Sequence, residues 1–177
     1  MADANALKEE GLRLFKDGSL AEALVQFELA SAAFSERDQL LDAAEMLNNI
    51  GVIHRIEGRL VQAADMLDKA RSAFAQAGDR SREAQTLGNL APLYKKQGDQ
   101  EKSLETYRQA SAIFHDLKDT DRDGEILMSM GLLQFEAGKR GEGLRLYEAG
   151  LKMISHPTGN QKRALMALKL RKTILGN

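Results

Sequence analysis

Apolar and small residues return along this chain every 40 residues without slippage, and polar residues fill the intervals. One register holds Leu7, Leu47, Leu87 and Leu127; another, four residues later, holds Gly11, Gly51, Ala91 and Gly131. Gly18, Gly58, Gly98 and Gly138 form a third. Beyond the glycine come Ala23, Ala63, Ser103 and Gly143, then Phe27, Leu67, Tyr107 and Tyr147. Ala30, Ala70, Ala110 and Gly150 follow, and last Phe34, Phe74, Phe114 and Ile154. A fixed period of this length marks a repeat architecture, in which each unit buries its apolar face against the next. Spacings of three and four within a copy place these positions on one side of a helix.

The glycine column divides each copy into two helices. Glycine closes a helix because it takes the left-handed conformation without a Cβ penalty. The spacing predicts helices near 3–16, 20–35, 40–57, 60–77, 81–97, 100–117, 122–137 and 140–155. Ser19 and Asp99 are the expected N-caps of the helices that follow their glycines. The segments joining one repeat to the next are polar: Ser35-Glu36-Arg37-Asp38, Gly78-Asp79-Arg80 and Lys118-Asp119-Thr120-Asp121. After His156-Pro157-Thr158-Gly159-Asn160 a ninth helix is expected over about 161–175, covering the apolar side of the last repeat.

The small–large pattern of the third copy is carried by Leu87, Leu90, Ala91, Tyr94, Gly98, Ser103, Tyr107 and Ala110. It resembles the tetratricopeptide repeat. The family's usual period is about 34 residues, so this is a long variant, similar to the repeats of kinesin light chain and of spindle-orientation adaptors. The Leu-Gly-Asn tripeptide of the latter recurs as Leu87-Gly88-Asn89. The resemblance implies an all-α fold, a right-handed α-solenoid of four helix-turn-helix repeats (about 4–39, 40–79, 80–119 and 120–157) with a capping helix, in one domain. It also implies a protein-binding role with no enzymatic activity.

Composition narrows the function. With 25 Lys+Arg against 26 Asp+Glu the net charge is −1, which argues against a nucleic-acid partner. The absence of cysteine excludes a disulfide scaffold, a thiolate zinc site and a cysteine nucleophile, and fits a cytoplasmic setting. A mean hydropathy of −0.39 without a long apolar run excludes a membrane-spanning helix. Met1–Asn5 lacks the basic and apolar regions of a signal peptide. The basic residues Lys162, Arg163, Lys169, Arg171 and Lys172, with Leu165, Leu168, Ile174 and Leu175, make the last helix a basic amphipathic one. Such a helix also suits an acidic partner or an anionic membrane surface.

Candidate chemistry is sparse. His54, His115 and His156 lie in different repeats and keep no metal-ligand spacing; His54 stands in a core column. Asp119, Asp121 and Asp123 resemble the start of a calcium loop, with Gly124 in the sixth place, but Met130 occupies the twelfth, where the bidentate glutamate belongs. They read as a polar turn. No metal or cofactor is expected.

By the resemblance, the first helices of the repeats line an inner, concave groove that holds a peptide or helix of a partner. Lys8 and Phe15 in the first copy, Asn48, Asn49 and Arg55 in the second, Gly88, Asn89, Pro92, Lys95 and Lys96 in the third, and Met128, Leu132 and Phe135 in the fourth are its expected binding residues. Asn49 and Asn89 share a register, and an amide pairs with an extended backbone whatever its sequence. Arg55, Lys95 and Lys96 would meet acidic side chains; Phe15, Leu132 and Phe135 would anchor apolar ones. Pro92 removes the helical bond to the Gly88 carbonyl, leaving that oxygen open to a ligand or water. The groove therefore suits an amphipathic peptide bearing acidic residues. A chaperone-type carboxylate clamp is not expected: Lys8 and Asn49 match it, but Leu12, Gln85 and Asn89 depart. Homo-oligomeric self-assembly and membrane-surface attachment are the alternatives.

Overall fold

The computed structural model describes residues 3–175, and the side chains of residues 3–168. Among them the fold is all-α: α1 (Ala4–Lys16), α2 (Leu20–Ser35), α3 (Leu40–Ile56), α4 (Leu60–Gln76), α5 (Arg80–Lys96), α6 (Gln100–Asp116), α7 (Thr120–Glu136), α8 (Arg140–Met153) and α9 (Gly159–Leu175). The chain divides into two compact units, residues 1–98 and 99–177. In the first, each helix from α1 to α4 packs on the next. Its core joins Ala23, Phe27, Ala30 and Phe34 of α2 to Met46, Ile50 and Ile53 of α3. Leu67 of α4 meets Leu90 and Leu93 of α5. In the second unit α6 packs on α7, α7 on α8, and α8 touches α9; Tyr107, Phe114, Met130, Leu133 and Leu151 are buried there. Each fully buried Leu or Phe contributes about 1.5–3 kcal/mol.

The turns are more regular than the sequence suggested. Gly18 takes φ +81°, its amide donates to the Phe15 carbonyl, and the Ser19 amide donates to that of Leu14. This is a Schellman motif, which satisfies the last carbonyls of the helix. The same two bonds form around Gly58 and Gly138, and also around Asp38, Gly78 and Lys118 in the inter-repeat turns. Asp38 and Lys118 hold φ of +58° and +59°. Positive φ thus recurs every 20 residues from position 18 to 138. The half-period escaped the sequence reading because only one of the three inter-repeat positions is glycine.

Three expectations need correction. Ser19 stands at the N-cap of α2, but its side chain makes no capping bond, whereas the carboxylates of Asp79, Asp99 and Asp119 accept the amides of Arg82, Lys102 and Arg122. Reach is not the cause, since the Thr158 hydroxyl accepts the Gln161 amide at the start of α9. α8 ends at Met153 rather than 155, and Ile154 is extended. Asp121 accepts both the amide (2.6 Å) and the hydroxyl (2.8 Å) of Ser155, and Pro157 disfavours helix before it. The two Ser155 bonds hold the Asp121 carboxyl below its usual range. The third concerns packing inside the last hairpin. A Cβ on Gly51 would meet Leu67, and one on Gly11 would meet Phe27, so small faces large there. In α7–α8 small faces small: a Cβ on Gly131 would lie 2.6 Å from the Tyr147 amide nitrogen and 2.7 Å from the Gly143 carbonyl. Gly124 and Gly150 face each other in the same way.

No described helix is long and apolar enough to cross a membrane. In α9, Ala164, Leu165 and Leu168 are half-buried and Met166 is exposed. The side chains of Lys169, Arg171, Lys172, Ile174 and Leu175 lie outside the described residues.

Candidate binding site

Three first helices of the first unit, α1, α3 and α5, carry a cleft of about 310 Å³ together with the end of α4. Its lining combines Leu12 and Phe74 with Glu45, Asn48, Asn49, Arg82, Gln85 and Thr86. The floor is a polar network that joins the helices. Lys8 Nζ pairs with Glu45 Oε1 at 2.9 Å, and Arg82 reaches the other oxygen of Glu45 at 3.6 Å. Arg82 also stands 3.6 Å from Asp79 and 5.8 Å over the Phe74 ring. Asn48 is buried, and its side-chain oxygen accepts from Asn89 Nδ2 (3.1 Å), while Thr86 Oγ1 stands 3.2 Å from it and shares its one proton with the Arg82 carbonyl (2.9 Å). A buried amide oxygen enclosed by these two neighbours is a support of the face.

The expected site residues therefore separate. Asn49 is half-buried and lines the cleft, with no hydrogen bond drawing on its side chain among the described residues. Asn48 is withdrawn into the interior, and Asn89 spends a donor on it. The shared register of Asn49 and Asn89 does not give them one role. Lys8 is neutralised by Glu45. Phe15 is half-buried against the α1–α3 core. Lys95 and Lys96 are exposed and Arg55 is half-buried; Lys96 Nζ donates to the Arg55 carbonyl at 3.5 Å. α5 runs as one helix through Pro92, and both Pro92 and Gly88 are half-buried. In the second unit Met128, Leu132 and Phe135 follow one another along α7; Met128 is half-buried, and Leu132 and Phe135 are 54% and 43% exposed. The guanidinium of Arg140 lies 5.9 Å over the Phe135 ring.

Sequence reasoning missed Arg82, Thr86 and Phe74. A signal existed: Lys8–Glu45 and Glu45–Arg82 are each 37 residues apart, and Asn48–Thr86 38. Neighbouring first helices thus meet at one period minus two or three residues. His54 is half-buried as expected; burial first, then the charge of Arg59, pushes its imidazole below the ordinary histidine range. The three aspartates of the pseudo-calcium loop go separate ways, Asp119 to a cap, Asp121 to Ser155 and Asp123 to Ser111.

Paired helices in tandem, closed by left-handed turns, define a helix-hairpin repeat protein. Residues 42–116 match the family model described as tetratricopeptide repeat. Among solved structures the chain is similar to BtubC (BKLC) from P. vanneervenii, with a TM-score of 0.75 and 18% sequence identity over 88% of this chain and 66% of that one. The likeness shows a shared fold, and this chain spans just under two thirds of that protein. No curated protein matches the chain. Over residues 42–116 the chain matches the tetratricopeptide repeat, and its described residues form an all-α repeat fold.

Proposed function

We propose that the chain is a non-enzymatic protein–protein interaction scaffold, and that the α1–α3–α5 face binds an extended, amphipathic peptide of a partner. Tetratricopeptide repeats generally mediate interactions between proteins. The observation that carries the reading is the cleft itself: a charge-balanced, fully tied floor leaves Asn49 and the exposed Gln85 as available amides between the apolar walls of Leu12 and Phe74. Such amides pair with a ligand backbone, while fixed walls select its side chains. Arg55, Lys95 and Lys96 favour acidic residues at one end. Leu132, Phe135 and Met128 on α7 are the apolar counterpart in the second unit. Gly88 and Pro92 contribute a carbonyl without a helical donor, since proline has no N–H. Lys8, Phe15, Asn48 and Asn89 act as supports of the face.

A peptide-display selection on the immobilised chain tests this. Enriched peptides should combine acidic and apolar residues. Asn49→Ala, and separately Arg55→Ala/Lys95→Ala/Lys96→Ala, should weaken them at least tenfold, about 1.4 kcal/mol. Peptides that bind both variants as tightly as the parent chain would sink the reading. A mass that rises with concentration, with no peptide enriched, would favour self-assembly instead.

A further inference from the structure

The second unit holds a different kind of cleft. It opens between α6 and α7 near the end of α8, with a volume of about 510 Å³, within the range of roughly 300–1,000 Å³ typical of ligand pockets. Leu127, Met130 and Met153 form its apolar wall, and at its polar end stands Asp123, whose side chain is 5% exposed. Asp123 accepts the hydroxyl of Ser111 on Oδ1 at 2.5 Å. Its other oxygen lies 3.6 Å from His115 Nδ1, and that imidazole is 79% exposed. The other charged groups of the lining are Asp116, which adds negative charge, and Arg108, which stands 3.6 Å from Glu105. A second cleft of about 230 Å³, with Lys118 and Thr120 in its lining, adjoins at His115 and Asp123.

A carboxylate this enclosed, with one neutral hydrogen bond, is short of positive charge. The first turn of α7 supplies part of it through the helix dipole. Closing the junction does not require the acid: the same column holds Asp3, Ala43 and Glu83 in the other copies, and Ala43 is buried there with Ser31 donating to its carbonyl. Among the acids of this column Asp123 is the one that is buried, since Asp3 is exposed and Glu83 half-buried.

We propose that this cleft is a second recognition site, taking an arginine side chain of a partner protein onto Asp123. A guanidinium is planar and weakly hydrated, and it grips a carboxylate with two parallel N–H donors. Its apolar stem would lie along Leu127 and the two methionines, which adapt their shape to what they cover. His115, held only from the Asp123 side, turns outward to admit it.

The test is a methyl NMR titration of the full chain, reading Met130 and Met153. The probes are acetyl-Gly-Gly-Arg-Gly-Gly-amide and its citrulline counterpart, which keeps the shape and loses the charge. The arginine peptide should shift both methyls saturably, with the citrulline peptide at least tenfold weaker. Asp123→Asn should weaken the arginine peptide at least tenfold, and Asp123→Ala, which restores the residue of the second repeat, should do the same in a folded chain. His115→Gln should retain binding. Equal binding of citrulline, or of the arginine peptide to both Asp123 variants, overturns the proposal. Agmatine binding as tightly as the peptide would assign the cleft to a small guanidine instead, and also overturns it.

Discussion

The α3–α4 and α7–α8 hairpins descend from one pattern, yet they pack by opposite means. In α3–α4 the Cβ of a residue at 51 would meet the Leu67 side chain, which is fully buried and fills the gap between the helices. In α7–α8 the equivalent pair is Gly131 facing Tyr147 and Gly143, and a second glycine pair, Gly124 and Gly150, repeats the close approach one register on. Backbone meets backbone there, and Tyr147 is only half-buried. A small–large hairpin is held by side chains that can repack. A small–small hairpin is held by main-chain shape, which cannot.

Substitutions that add a single methyl group should expose this difference most strongly. Gly131→Ala places a carbon 2.6–2.7 Å from backbone atoms of α8, so the helices must part at a cost of about 3 kcal/mol or more, against a gain of about 1 kcal/mol in helix propensity. Thermal or urea unfolding of the whole chain would show it, and a neutral result would break the comparison. In α3–α4, Leu67→Ala should cost about 3 kcal/mol through the cavity it leaves. Gly51→Ala should cost less, about 1–2 kcal/mol, because the nearest obstruction is the Leu67 side chain and the Ala63 carbonyl stands farther off at 3.2 Å. Combined, the two should cost less than their sum, since the new methyl group occupies part of the vacated space. A double-mutant cycle with no such coupling would show that the helices, not the side chain, set the spacing.

The turns offer a smaller contrast. Lys118 holds a left-handed conformation that glycine occupies in every intra-repeat turn. Lys118→Gly should stabilise the chain by about 1 kcal/mol, and Asp38→Gly by less, because aspartate tolerates that region better. Loss of stability in both would mean that side-chain contacts outweigh the backbone cost.

The smallest expected effect is a pH dependence. At one column α3 carries His54, whose Nδ1 is buried without a partner, and α7 carries Gln134, whose amide donates to Glu142 at 2.8 Å. Burial depresses the His54 pKa, so the folded chain binds fewer protons there than the unfolded one. Stability is then intact above the ordinary histidine pKa and falls as the pH drops through it. His54→Gln should flatten that slope in unfolding curves between about pH 7 and 5. An unchanged slope would place the titrating group elsewhere.

Much of this was readable in the chain. The 40-residue registers located the helices of both units to within about two residues, because caps, glycines and apolar spacing are local properties. Asp99 was recognisable as a cap, and His54 as a half-buried residue. Asn48 and Asn89 were less legible: their bond spans 41 residues and depends on which sides of α3 and α5 face each other. Asp123 was hidden for a similar reason. In sequence it is one of three alternating aspartates, and only the packing of α6 against α7 buries it beside Ser111.

The sequence by itself therefore determined the repeat, the helices and most of the turns, since each follows from interactions among near neighbours along the chain. The tertiary structure alone decided which polar residues became supports and which stayed available. That choice rests on side chains from helices some 40 residues apart competing for the same buried hydrogen bonds, and a buried donor or acceptor left unpaired costs about 1–3 kcal/mol.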